Sequence, residues 1–210
     1  MKKTTTMNKK LLGLGCVGAI VVLVIMVGGW VMSSYNSLVV EQEKAKTAWS
    51  NIDVILKRNQ QELNSLEKLL RSAKKFNKEA LENMVAARAK ATQITIDPSN
   101  CTPEQMRQWS QAQGELMSAM SHLMVVHEAE YPELKGNEHY TKTAVALEGA
   151  VNRLSEARRK YNDSVQSYMI KTRSFPAVII AGLFGFGPMY LYEAPQGTEE
   201  NTTDFSGLDD

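Results

Sequence analysis

The sequence predicts an all-α protein: a single N-terminal transmembrane helix followed by an antiparallel bundle of about four long helices. Three observations carry this. An uncharged apolar run stands near the N-terminus, and apolar residues recur at alternating spacings of three and four along most of the remaining chain. Proline and glycine are scarce between Tyr35 and Tyr131, except near 98–103 and at Gly114. At 210 residues the chain holds one domain and an anchor, and is too short for two sizeable cores. The expected organisation is a short basic N-terminus (1–10), a transmembrane helix (11–32), a bundle domain (33–192) and an acidic, disordered tail (193–210).

The apolar run LLGLGCVGAIVVLVIMVGGWVM begins at Leu11, ends at Met32 and counts 22 residues. At ~1.5 Å per residue it reaches about 33 Å, enough to cross a hydrocarbon core of roughly 30 Å. Trp30, near one end, suits the bilayer interface, where an amphipathic ring is favoured. No small-x-small site with a polar follow-on ends the run, which argues against a cleaved signal peptide. Acylation at Cys16 is also disfavoured, because too little apolar chain precedes it and the run continues far beyond it. Lys2, Lys3, Lys9 and Lys10 precede the span without an acid, whereas Glu41, Glu43, Lys44 and Lys46 balance one another after it. The positive-inside rule then places the N-terminus in the cytoplasm and the bundle outside.

Beyond the span, steps of three and four from Tyr35 land on Leu38, Gln42, Ala45, Trp49, Ile52, Leu56, Asn59, Leu63, Leu66, Leu70 and Ala73. Only Gln42 and Asn59 are polar, so this is the seam of a packed helix. The phase then slips by one, through Phe76, Ala80, Met84, Ala87, Ala91 and Ile94. A slip marks a kink or stutter, and a bend is expected between about 59 and 77. DPSNCTPEQ is a loop with a restart signal: Thr102 caps, Pro103 takes the first helical position and Gln105 closes a capping box. Met106, Trp109, Leu116, Met120 and Leu123 line the next helix, which stops before Pro132. YPELKG turns the chain and Asn137 caps the last helix. Its seam runs through Tyr140, Ala144, Leu147, Val151, Leu154, Arg158, Tyr161, Val165, Tyr168 and Thr172. Arg158 is the misfit, and small Ala157 beside it can take its place. Short loops between long amphipathic helices imply antiparallel neighbours.

The formal charge of +1 hides an asymmetry. Beyond Tyr192 stand six acids (Glu193, Glu199, Glu200, Asp204, Asp209 and Asp210) and no base. Residues 33–192 carry about +3 in scattered form, too little for a nucleic-acid stripe. Cys16 in the span and Cys101 in a loop cannot meet, so no disulfide is expected.

Several segments resemble the LemA family of bacterial membrane-anchored helical proteins. The family's YN-x-LV start and AW-x-x-(I/V)-D-V-x-L-x-R run match through Tyr35, Asn36, Leu38, Val39, Ala48, Trp49, Ile52, Asp53, Leu56 and Arg58. AAR (86–88), YPELKGNEHY (131–140), ARRKYNDSVQSY (157–168) and FPAVIIAGLFGF (175–186) resemble further family signatures. Two departures stand out. Asn64 occupies the place of a family proline, weakening a proline kink, and Phe76-Asn77 replaces a His-Glu pair. The resemblance implies a bundle of about four helices behind one span, and no enzymatic activity, cofactor or catalytic residue.

No chemistry-bearing constellation is legible. His122 and His127 are five apart, and HEAEY lacks the second histidine of a zinc-protease helix. The third histidine is His139; Glu128 and Glu130 near His127 could help to bind a metal, but charged residues beside a helix end are usually solvated. Ser33, Ser34 and Ser50 lack a nucleophile-elbow context, and Cys101 has no histidine close in sequence. Gly182, Gly185 and Gly187 lie in greasy sequence without the lysine of a phosphate loop. No catalytic, cofactor-binding or metal-ligating residue is therefore expected. The odd stretch is residues 174–192, uncharged, with Pro176 and Pro188 bracketing an apolar run too short for a comfortable span. Folding back along a bundle groove is the preferred reading; dipping into the membrane and binding a partner are the alternatives.

The expected function is non-enzymatic: a single-pass membrane protein that contacts the bilayer from Leu11 through Met32, its bundle an adaptor or scaffold for an envelope protein, with a membrane protease among the candidates, or for a second copy of itself. One alternative is an enzyme or metal-dependent protein with a site assembled across the bundle. Glu148 and Glu156 lie off the seam and no Glu-x-x-His occurs, which counts against it. A membrane sensor is the other, and the short segment before the span offers no output domain for it.

Overall fold

The computed structural model describes residues 4–72, 77–130 and 138–193. The turn at 131–136, the Asn137 cap, seam positions Ala73 and Phe76, and the tail from 194 on lie outside the described residues. Among the described residues five helices succeed one another: α1 (Thr4–Ser72), α2 (Lys78–Gln93), α3 (Pro103–Glu130), α4 (Glu138–Arg173) and the short α5 (Ala177–Phe184). No strand occurs among the described residues.

α1 is one uninterrupted helix of 69 residues. Its first part is the one helical stretch among the described residues long and apolar enough to cross a membrane, and the rest of the chain leaves it uncovered. From Leu38 onward its seam is buried at Ala45, Ala48, Ile52, Asn59, Leu63, Leu66 and Leu70. The expected break comes at the end of α1 rather than within it. The helix passes through Asn64 unbroken, as an asparagine allows and a proline does not, and ends at Ser72. A new helix starts after Asn77, whose side chain accepts from the Ala80 N–H at 3.0 Å as an N-cap. That cap has no sequence signature beyond the residue type itself.

α2 turns back along the distal part of α1, α3 reverses again, and α4 returns along the length of α1 toward its apolar run. The start of α3 carries the expected capping box. The Thr102 N–H donates to Gln105 Oε1 at 2.8 Å, and the Gln105 N–H donates to Thr102 Oγ1 at 3.2 Å.

The core is layered along the bundle because the helices differ in length. The distal layer joins Leu63, Leu66 and Leu70 of α1 to Leu81 and Met84 of α2, Leu116 and Leu123 of α3, and Leu147 of α4. α2 is short and ends at Gln93, so it cannot cover the layer nearer the apolar run of α1. There Ala45, Ile52, Trp109, Leu154, Tyr161, Val165 and Tyr168 are joined by Met189 and Tyr192 of the C-terminal segment. The last layer buries Leu38 of α1 with Ile180 and Ala181 of α5, and partly buried Val31 and Phe186 pack against them.

The C-terminal segment thus folds back along the groove between α1 and α4. Pairings with α4 hold it in an ordered ladder running away from the apolar run of α1. The Tyr168 hydroxyl donates to the Gly187 carbonyl at 2.8 Å, and Tyr161 donates to the Tyr190 carbonyl at 2.9 Å. Asn162 both donates to the Tyr192 carbonyl and accepts from its N–H. These bonds satisfy four backbone groups of a stretch that belongs to no helix. The reversal is made at Gly185, the α5 C-cap, whose φ of 72° is a left-handed conformation that favours glycine.

Candidate functional site

The residues that sequence patterning offers for chemistry are scattered. His122 is exposed on α3, and Glu148 is exposed on α4. Glu156 pairs with its own-helix neighbours Arg159 and Lys160, and these cations hold its carboxyl below the usual range. The side chains of His127, Glu128, Glu130 and His139 lie outside the described residues. Cys101 is half-buried in the α2–α3 loop with Sγ 3.9 Å from the Pro98 carbonyl. Burial pushes its thiol up and Asp97 adds to the effect, the reverse of an activated nucleophile. Among the described residues no three His, Cys, Asp or Glu side chains gather in metal-binding fashion.

What the fold does assemble is an aromatic junction at mid-bundle. Trp49 of α1 stands 4.6 Å, centroid to centroid, from Trp109 of α3 and 5.1 Å from Tyr161 of α4. Trp109 meets Tyr192 edge-on at 5.8 Å. Burial pushes the Tyr161 and Tyr192 phenols up, so both stay protonated; Tyr161 donates to the Tyr190 carbonyl, whereas the Tyr192 hydroxyl is buried without a hydrogen-bond partner among the described residues. The junction welds four chain segments where α2 has ended, and its rings provide area that small aliphatic residues cannot.

Arg158 belongs to this junction. Ala157 takes the buried seam position, as its size allows, and Arg158 swings beside it to lay its guanidinium over the Tyr192 ring at 4.3 Å. Its Nε and Nη2 are buried and make no hydrogen bond among the described residues. Burial pulls the guanidinium pKa below its ordinary value, and the Tyr192 phenol works weakly the other way. Seam spacing flags Arg158 as a misfit, but nothing local in the sequence points to Tyr192 as its cover.

Beside the junction a groove of about 230 Å³ opens between α1 and the α2–α3 connection. Trp49, Ile52, Leu56, Ile94, Ile96 and Trp109 form its apolar lining, and Asp53, Lys57, Gln60, Thr92 and Thr95 its polar edge. It explains why Trp49 and Leu56, seam residues by spacing, stay partly exposed. The volume is below the roughly 300 Å³ at which small-molecule sites usually begin. The groove has an apolar floor and a polar rim, and the rim's two charges, Asp53 and Lys57, pair with each other at 2.6 Å.

A second concentration of exposed apolar side chains lies beside the end of the apolar run of α1, on α5 and the turn before it: Phe175, Val178, Ile179, Leu183 and Phe184. Tyr35 holds this element to α1, its ring 5.0 Å from Phe184 and 5.5 Å from Phe186.

Compared with known families, the chain matches the model of the LemA family over residues 48–205. No curated protein matches it. The matched range takes in the segments at 86–88, 131–140, 157–168 and 175–186, together with the Trp49 junction.

Proposed function

The chain belongs to the LemA family, and from that premise we propose that it is a non-enzymatic, single-pass membrane protein whose bundle works by contact, as an adaptor or scaffold in the bacterial cell envelope. The observation that carries this reading is the course of α1. One unbroken helix is bare and apolar where a membrane would surround it, and forms the bundle seam from Leu38 onward. A bundle built on such a helix keeps a constant height over the bilayer and offers its faces to proteins in the same membrane. The excess of lysines before the span supports a cytoplasmic N-terminus and an extracytoplasmic bundle. The non-enzymatic character rests on the sequence, in which no nucleophile and base, phosphate loop or metal spacing is legible.

The groove beside Trp49 is the contact point this reading favours, and an envelope protein, such as a membrane protease, its occupant. A photo-crosslinking side chain placed at Thr95, on the groove's edge, tests it in intact cells, with exposed Ser155 on α4 as the control site. A discrete envelope-protein adduct at Thr95 and not at Ser155 is expected. Absence of any adduct at Thr95, or the same indiscriminate adducts at both sites, overturns the reading.

A further inference from the structure

We propose that the outer face of α5 is seated in the lipid interface of the membrane that α1 crosses, so that the protein holds the bilayer surface at a second point. The inference rests on the reading of α1 as a span.

α5 has two faces of the same apolar character but opposite environment. Ile180 and Ala181 are buried against Leu38, with Val31 and Phe186 packed around them. On the other side Phe175 is 81% exposed and Leu183 75%, with Val178, Ile179 and Phe184 also open. No charged residue occurs from Ser174 through Tyr192. An outer face meant for water would carry polar residues, as the exposed faces of α2 and α3 do.

The rigid helix α1 supplies the height of this face. α5 packs on α1 between Val31 and Leu38, a rise of about 10 Å. The apolar run of α1 ends at Met32, so α5 begins level with the edge of the hydrocarbon core. The headgroup layer beyond that edge is roughly 5–8 Å deep. α5 therefore lies within or directly upon it. Its exposed side chains continue the bare surface of the span, where Val27, Trp30 and Met32 are open as well.

Charge fits the same occupant. Lys171 and Arg173 stand in the last turn of α4, immediately before α5, where cations meet lipid phosphates while the neighbouring apolar groups enter the acyl boundary. A protein partner at this height would have to displace lipid from an area that lipid already reaches without any rearrangement.

The test uses the full chain with Cys16 and Cys101 changed to serine, reconstituted in phosphatidylethanolamine and phosphatidylglycerol vesicles. Single cysteines at Leu183, Phe175, Val24 and Ser155 carry an environment-sensitive fluorophore. Quenching is compared between lipids spin-labelled near the headgroup and near the chain end. Leu183 and Phe175 are expected to show blue-shifted emission and several-fold stronger quenching by the shallow label than by the deep one. Val24 should be quenched by the deep label, and Ser155 by neither. Val24 quenched while Leu183 and Phe175 match Ser155 overturns the inference and leaves the span intact. Blue-shifted emission at Leu183 without lipid quenching also overturns it, since protein then covers α5. Failure at Val24 overturns the span reading and this inference together.

Discussion

Arg88 of α2 reaches back to Glu67 of α1, Nη2 to Oε2 at 2.8 Å, while its Nη1 donates to Asn64 Oδ1 at 2.8 Å. Both ends of the ion pair are mostly covered, at 19% and 17% exposure, which sets it apart from the solvated i,i+3 and i,i+4 pairs along the helix surfaces. Arg88 is the arginine of the AAR segment, and its neutral acceptor is the asparagine standing where the family proline would be. The pair locks the α1–α2 hairpin just before α2 gives out.

Arg88→Ala should lower stability by about 1–3 kcal/mol, between the values for exposed and buried pairs. Thermal unfolding of the detergent-solubilised chain measures it, and an unchanged Tm would show the pair to be ornamental to the hairpin.

The pH dependence of that pair has a fixed sign. Burial alone would raise the Glu67 carboxyl, but hydrogen bonds and charge from Arg71 and Arg88 outweigh it and hold its pKa below the ordinary 4.5. The stabilisation is fully present above that ordinary value, and is lost as pH falls through the lower pKa of the folded state. The difference in Tm between the native chain and Glu67→Gln should therefore shrink as pH drops below 4.5. A gap that stays constant down to acid unfolding contradicts the assignment.

Trp49→Ala removes a ring that touches both Trp109 and Tyr161. Because Trp49 also borders the groove and is only partly covered, a loss of about 2–4 kcal/mol is expected, below the full cost of a buried tryptophan. Near-ultraviolet circular dichroism should lose its aromatic signal with the fall in Tm. Retention of both would mean that the junction is not a structural weld.

Tyr161→Phe and Tyr168→Phe each delete one hydroxyl that holds the C-terminal segment, at about 1 kcal/mol apiece. Both rings remain to fill the core, so the helices should stay folded. Hydrogen exchange at residues 186–192 should accelerate in the double variant while that of α3 does not. Uniform acceleration throughout the chain would assign the hydroxyls to global stability instead.

Membrane orientation is open to a direct check. Cys101 is a poor reporter, since burial raises its thiol pKa and slows its reaction. A single cysteine at exposed Ser155, with Cys16 and Cys101 replaced by serine, should react with an impermeant maleimide on intact cells with an accessible membrane surface. Reaction only after lysis would reverse the orientation.

Periodicity made much of the core legible. Leu38, Ala45, Ile52, Leu63, Leu66 and Leu70 follow from spacing alone, as do Met106, Trp109, Met120, Leu123, Leu154, Tyr161 and Tyr168. The Thr102 capping box was legible too, because its partners are three residues apart. Asn77 was not, since an isolated asparagine caps some helices and lies idle near others. The aromatic junction escaped as an assembly: Trp49, Trp109, Tyr161 and Tyr192 are far apart in sequence, and no local rule pairs them.

By itself the sequence determined the apolar first helix, the helical character of the remaining chain, the face each helix buries and the region where the first long helix must end. Those are local properties, set by residue type and by a period of about 3.6. The tertiary structure alone decided which elements share a layer. α2 is too short to reach the core layer nearer the apolar run, so the C-terminal segment fills that place through Met189 and Tyr192, Arg158 finds its cover there, and α5 is left against Leu38 with its far side bare. Helix lengths and the levels at which they end are properties of the assembled bundle, and they govern who meets whom.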